Sequence, residues 1–178
     1  QIKYNFNDSS VYFNEPHNEL NYLKLNTCEQ NILQNNFSGS FDFIESTNEI
    51  VSPIITNESP NLSIKKLNLT NGSTNIIETE LNIQNIFEFD FFISDAGHFV
   101  HSDFLSKYFT LSNNGYIYVI DESGNVDSIS SPLNNYITDG MVDGFAISTF
   151  QNYLFLAISI DTDETENNDS TKIFKINI

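Results

Sequence analysis

The chain has 178 residues, 39% hydrophobic and 13% aromatic, with a formal net charge of -17. That length and apolar content suit one ordinary domain with a good core and exclude a disordered tract. Seven lysines and no arginine stand against 24 acids, a balance that repels phosphate backbones and anionic headgroups and so disfavours nucleic-acid and polybasic membrane roles.

The vocabulary is that of sheets and turns: β-branched and aromatic residues punctuated by Asn-Gly. Windows rich in Ala, Leu, Glu and Lys, which helices need, are missing, so the expected class is all-β. No run reads as a transmembrane helix and no signal-peptide pattern opens the chain. The sequence starts at Gln1 rather than Met, as a processed chain or a piece of a longer one would. Cys28 has no intrachain partner and reads as a small buried hydrophobe. Asn-x-Ser/Thr sequons begin at Asn7, Asn36, Asn57, Asn61, Asn68, Asn71 and Asn168. An acidic, Arg-free, Asn/Ser/Thr-rich β-chain of this kind suits a secreted or cell-surface glycoprotein.

In chain order, the first unit (about 1–36) holds short strands at Ile2 to Phe6, Val11 to Asn14, Leu20 to Leu25 and Asn31 to Gln34. A turn at Glu15-Pro16-His17-Asn18 takes the proline that a ladder would reject. The second (37–81) runs Ser40 to Ser46, Ile50 to Thr56, Leu62 to Leu69 and, after Asn71-Gly72, Asn75 to Leu81. Its alternation slips between Ile64 and Leu67, which predicts a bulge around Lys65-Lys66. The third (82–131) opens with Phe87 to Ser94, whose Phe-Asp-Phe echoes Phe41-Asp42-Phe43. An insertion from Asp95 to Leu105 follows, then a meander from Ser106 to Ser130. Asn114-Gly115 there predicts a hairpin with positive φ at Gly. The strand Tyr116 to Ile120 is apolar on both faces, so it should be covered on both sides. The fourth (132–178) has Gly144 to Ser148, Asn152 to Ile160 and Lys172 to Ile178, one strand short of the pattern. The expected core includes Phe41, Phe43, Phe89, Phe91, Ile117, Val119 and Phe155.

Four antiparallel meander units of this length, each strand, hairpin, strand, Gly-turn, strand, resemble the blades of a β-propeller or part of one. The alternatives are a β-sandwich and an irregular β-solenoid, the latter echoed by LNYLKLNTC and IKKLNLTN. The Trp-Asp dipeptide, the kelch double glycine and the sialidase Asp box are all missing, so the resemblance is to the architecture and not to one family. It implies loops at one end for recognition and an edge strand, Lys172 to Ile178, that needs a partner strand from another chain or further sequence.

Several constellations invite chemistry. Asp161, Asp163, Thr165, Asn167 and Asp169 place oxygen side chains at alternate loop positions, which resembles the calcium loops of integrin-type propellers; Glu166 stands where such loops need Gly, and the plainer reading is a solvated acidic loop. The stretch Asp121 to Asp127 reads as a turn whose Asp and Asn side chains cap local amides. Asp42, Asp90 and Asp143 fall at like positions in the first strands. There they either accept loop N–H bonds or ring a channel as an acid/base pair of a carbohydrate-active enzyme. His98 and His101 suggest zinc, but three-residue spacing on a strand turns their rings to opposite faces. Nucleophile elbows and P-loops are absent. The leading expectation is an extracellular acidic binding or scaffolding module that recognises a protein or glycan partner, rigidified by Ca2+. Its rivals are the paired-Asp enzyme and a structural subunit that assembles through edge strands.

Overall fold

The computed structural model describes residues 2–15, 19–34, 40–55, 60–82, 99–111, 115–132, 142–160 and 170–178. Among them are fifteen strands and no helix. β1 (Ile2–Asn5), β2 (Ser10–Glu15), β3 (Glu19–Lys24) and β4 (Glu29–Gln34) make the first sheet, paired in sequence order. The second takes β5 (Asp42–Ile44), β6 (Glu49–Ile55), β7 (Asn61–Asn68) and β8 (Thr74–Asn82) in the same order. β9 (Phe99–Ser102), β10 (Lys107–Leu111), β11 (Tyr116–Asp121) and β12 (Val126–Ser130) form the third. The fourth holds β13 (Val142–Phe150), β14 (Tyr153–Ile160) and β15 (Ser170–Asn177), three strands among the described residues. All pairs are antiparallel neighbours in sequence. Such meanders need only local turns, and here the sheets follow one another round a common cavity. These are four blades in the arrangement of a β-propeller.

What holds the blades together is burial between them. Tyr12 and Leu20 of the first blade pack on Phe41, Ile50 and Leu67 of the second. Val51, Leu62 and Ile64 of the second meet Phe99, Tyr108 and Ile120 of the third. Phe109, Ile117 and Val119 of the third meet Leu154, Leu156 and Ile158 of the fourth. The strand β11 shows why a run apolar on both faces is needed. Ile117 and Val119 point to the fourth blade while Tyr118 and Ile120 point to the second. Burying each such side chain is worth about 1.5–3 kcal/mol, and each is shared by two sheets.

The inner hairpins repeat one backbone device. Ser9, Asn48 and Ser106 each close a four-residue turn with φ of 56, 55 and 50°. A single left-handed residue there lets the strand return in register, and Gln151 in the β13–β14 turn has the same conformation, φ 54°. Gly72 and Gly115 have the positive φ expected, 72 and 79°.

Four expectations meet a different outcome. Asp95 to Leu105 is not simply an insertion: it contains β9, the inner strand of the third blade, whose residues Phe99 to Ser102 are all buried. The bulge lies at Asn61/Ser63 and not at Lys65-Lys66, which pair regularly with Ile76 and Asn75. Its cause is local, since the Thr79 hydroxyl donates to the Leu62 carbonyl and accepts from the Leu81 amide, which replaces the lost ladder bonds. Cys28 is exposed at φ 55° in the β3–β4 turn and not buried. Of the expected core, Phe41, Ile117 and Val119 are buried, whereas Phe43 and Phe155 are half-buried. Phe87 to Ser94, with Phe89 and Phe91, lies outside the described residues.

Candidate functional site

The inner strands β1, β5, β9 and β13 line a cavity of about 810 Å³. A belt of polar contacts crosses all four. The Lys3 ammonium on β1 donates to Asp42 Oδ1 on β5. Asp42 accepts from its neighbour's amide, Phe43 N, at 2.9 Å, and its Oδ2 accepts from His101 N on β9 at 2.8 Å. The His101 carbonyl in turn accepts from the Thr149 hydroxyl on β13 at 3.1 Å. A buried carboxylate needs several donors to offset desolvation, and Asp42 has three from three strands. Its donors are a lysine and two strand amides rather than the loop N–H groups expected, and they fix how β1, β5 and β9 stand against one another. Asp90 and the side chain of Asp143 lie outside the described residues, so no acid/base pair with Asp42 can be drawn.

The His101 ring is buried in the seam between the second and third blades. Its Nδ1 lies 3.0 Å from Asp103 Oδ1 without the alignment of a hydrogen bond, and Nε2 is 3.8 Å from Glu122 Oε1. Burial pushes the imidazole below its usual 6.5, outweighing Asp103, Asp42 and Glu122, which favour the cation; Lys66 adds to the depression. Beside it, Tyr108 donates its hydroxyl to Glu122 at 2.8 Å, and Lys66 donates to the same carboxylate at 2.8 Å. Burial alone would raise the Glu122 carboxyl, but these two donors together hold it below the usual carboxylate range. Desolvation and the Glu122 bond both push the Tyr108 hydroxyl far up, so it stays a donor.

The depressed His101 pKa makes stability depend on pH with a definite sign. The unfolded chain takes the proton near pH 6.5 while the folded chain resists until lower pH. Stability is therefore full above that value and lost as pH falls through the window below it. In urea melts between pH 7.5 and 5, wild type should lose more stability than His101→Gln; equal slopes would show that the ring is not the titrating group.

One mouth of the cavity is ringed by the inner hairpins, and there the side chains change character. Phe6, Phe104 and Phe150 are exposed, at 75, 69 and 64%. Tyr4 meets Phe6 edge-on at 4.7 Å. Glu45 and Asp103 line the same cavity, and the amide of Glu45 donates to Asp103 Oδ2 at 3.1 Å. Lys3 neutralises Asp42 and His101 is held neutral, so Glu45 and Asp103 leave the mouth acidic. Sequence reasoning passed over the three phenylalanines. Their signal was a large apolar residue in or beside a hairpin turn, where a polar one belongs.

The remaining expected sites fall elsewhere. The turn from Asp121 caps itself: Asp121 Oδ1 accepts from Ser123 N at 2.8 Å and Asn125 N at 3.0 Å, and Oδ2 from Asn125 Nδ2 at 2.8 Å. Those donors, the Asn125 side chain first, hold its carboxyl below the usual range. Asp161, Asp163, Thr165, Asn167 and Asp169, with their expected Ca2+, lie outside the described residues, as do His17 and His98. Among the described residues no cluster of His, Cys, Asp and Glu could hold a metal.

No protein-family model matches the chain, and no curated protein matches it. Solved structures do. The chain is similar to an oligogalacturonate lyase in complex with manganese (TM-score 0.58, 12% identity), covering 99% of this chain and 49% of that one. TolB from Acinetobacter baumannii aligns at TM-score 0.55 and 11% identity, covering 99% and 40%. The β-propeller domain of Myceliophteria thermophila Cps50 (Swd1) aligns at 0.51 and 9%, covering 88% and 48%. At such identities the likeness is one of fold, and it places the chain among β-propellers. The chain spans half or less of the length of each of these three.

Proposed function

We propose that this propeller is an interaction scaffold that takes a cationic, apolar-bearing segment of a partner protein at the aromatic mouth of its cavity. The observation that carries this reading is the exposure of Phe6, Phe104 and Phe150 beside Glu45 and Asp103. Water-facing aromatic rings on a rigid frame are the anchors that dominate binding energy at interfaces, and two unneutralised carboxylates favour Lys or Arg near them. Asp42, one of the three carboxylates from which the enzyme reading draws its pair, is engaged in the belt. An extracellular setting belongs to the same reading, supported by the Arg-free, acidic, sequon-bearing composition.

The test is peptide binding by fluorescence anisotropy. Peptides combining Lys or Arg with an aromatic residue should bind, and added salt should weaken them by screening. Phe104→Ser should cut the affinity at least about tenfold, as expected for an anchor worth more than about 1.4 kcal/mol. Equal binding of acidic peptides, or affinity untouched by Phe104→Ser, would discard the mouth as the site.

A further inference from the structure

The seams of the ring are not equivalent. In the second strand of each blade, the second residue after the inner turn faces the preceding blade. Ile50, Tyr108 and Leu154 occupy that register and are all 0% exposed, yet Val11, their counterpart in the first blade, is half-buried. One residue on, Tyr12, Val51 and Phe109 are buried against the following blade, while Phe155 in the fourth is half-buried. Core clusters fill the three seams between consecutive blades, and among the described residues none joins the fourth blade to the first.

The two faces left over carry apolar side chains, on the fourth blade mixed with polar ones. On the first blade the cross-strand rows are Ile2 with Phe13 and Tyr4 with Val11 and Leu23, with Ile2 75% exposed. On the fourth, Phe155 and Ala157 lie in the same face as Ile173, which is 73% exposed, with Lys175 opposite Phe155 and its ammonium 3.5 Å over the Tyr153 ring. One face has the register of a blade that awaits a predecessor, the other that of a blade that awaits a successor. From this we infer that a second copy of the chain fills the gap: its fourth blade seats on the first blade of this one, and the reverse. A copy supplies both missing faces at once, and a two-fold axis along the cavity closes the ring through two identical seams.

Sedimentation equilibrium of the intact chain tests this. A species of two 20.3 kDa chains is expected. Because each copy carries a charge of -17, added salt should tighten it. Ile2→Lys and Ile173→Glu change exposed positions and should leave the far-ultraviolet dichroism and melting of the single chain intact, yet each should weaken the dimer at least about tenfold. Phe104→Ser at the mouth should leave it unchanged. A monomer up to hundreds of micromolar would overturn the inference and assign the seam to blades from other sequence. A dimer indifferent to Ile2→Lys and Ile173→Glu, or sensitive only to Phe104→Ser, would overturn it too.

Discussion

Replacing Asp42 by alanine should lower stability by about 2–3 kcal/mol, more than any other single polar change on the inner strands. The substitution leaves the His101 amide buried without an acceptor, which costs about 1–3 kcal/mol. Lys3 loses its partner as well, but it is partly exposed and regains water, so its share is discounted. For a chain of this size each kcal/mol moves Tm by about 2–4 °C, so a fall of about 5–10 °C is expected in calorimetry. Asp42→Asn keeps oxygen and shape but loses the charge, and should recover about half of the loss. If Asp42→Ala melts with wild type, the belt contributes nothing and the carboxylate is free for other work.

Gly124→Ala is the second large effect. Gly124 sits at φ 87° in the β11–β12 turn, where an L-residue costs about 1–2 kcal/mol. It also meets the second blade: a Cβ would overlap the Glu78 carbonyl oxygen and stand 3.1 Å from its carbon. Both partners are backbone, so no side chain can turn aside and the seam itself must open. The total loss should reach about 3 kcal/mol or more. Gly72→Ala is the matched control, with φ 72° and nothing within 4 Å of the added carbon. It should lose the backbone cost alone. Equal losses at the two positions, by urea denaturation, would show that the close approach at Gly124 is not sensed.

The fold was largely legible because its cues are local. Asn71-Gly72, Gly115, the two-faced strand at Tyr116 to Ile120 and the alternation of the second unit each depend on a few adjacent residues. β9 was hidden for the opposite reason. Phe99 to Ser102 is buried on both faces, so it shows no alternation, and Phe87 to Ser94 carries a louder strand pattern nearby. The bulge position depends on one hydroxyl, Thr79, which composition cannot place. The belt is beyond local reading altogether. Lys3, Asp42, His101 and Thr149 meet only once four inner strands line one cavity, although Asp42 itself was marked by its strand position.

Each apolar cluster belongs to a pair of blades and none to a single blade. A blade alone is thus a thin sheet with both faces wet, and it gains most of its stability only when a neighbour has already formed. Such a chain behaves like a short one-dimensional lattice, in which order spreads from one unit to the next and the end units carry half the neighbours of the middle ones. The second and third blades, gripped on both sides, form the slow-opening centre for amide exchange, and the outer two fray first.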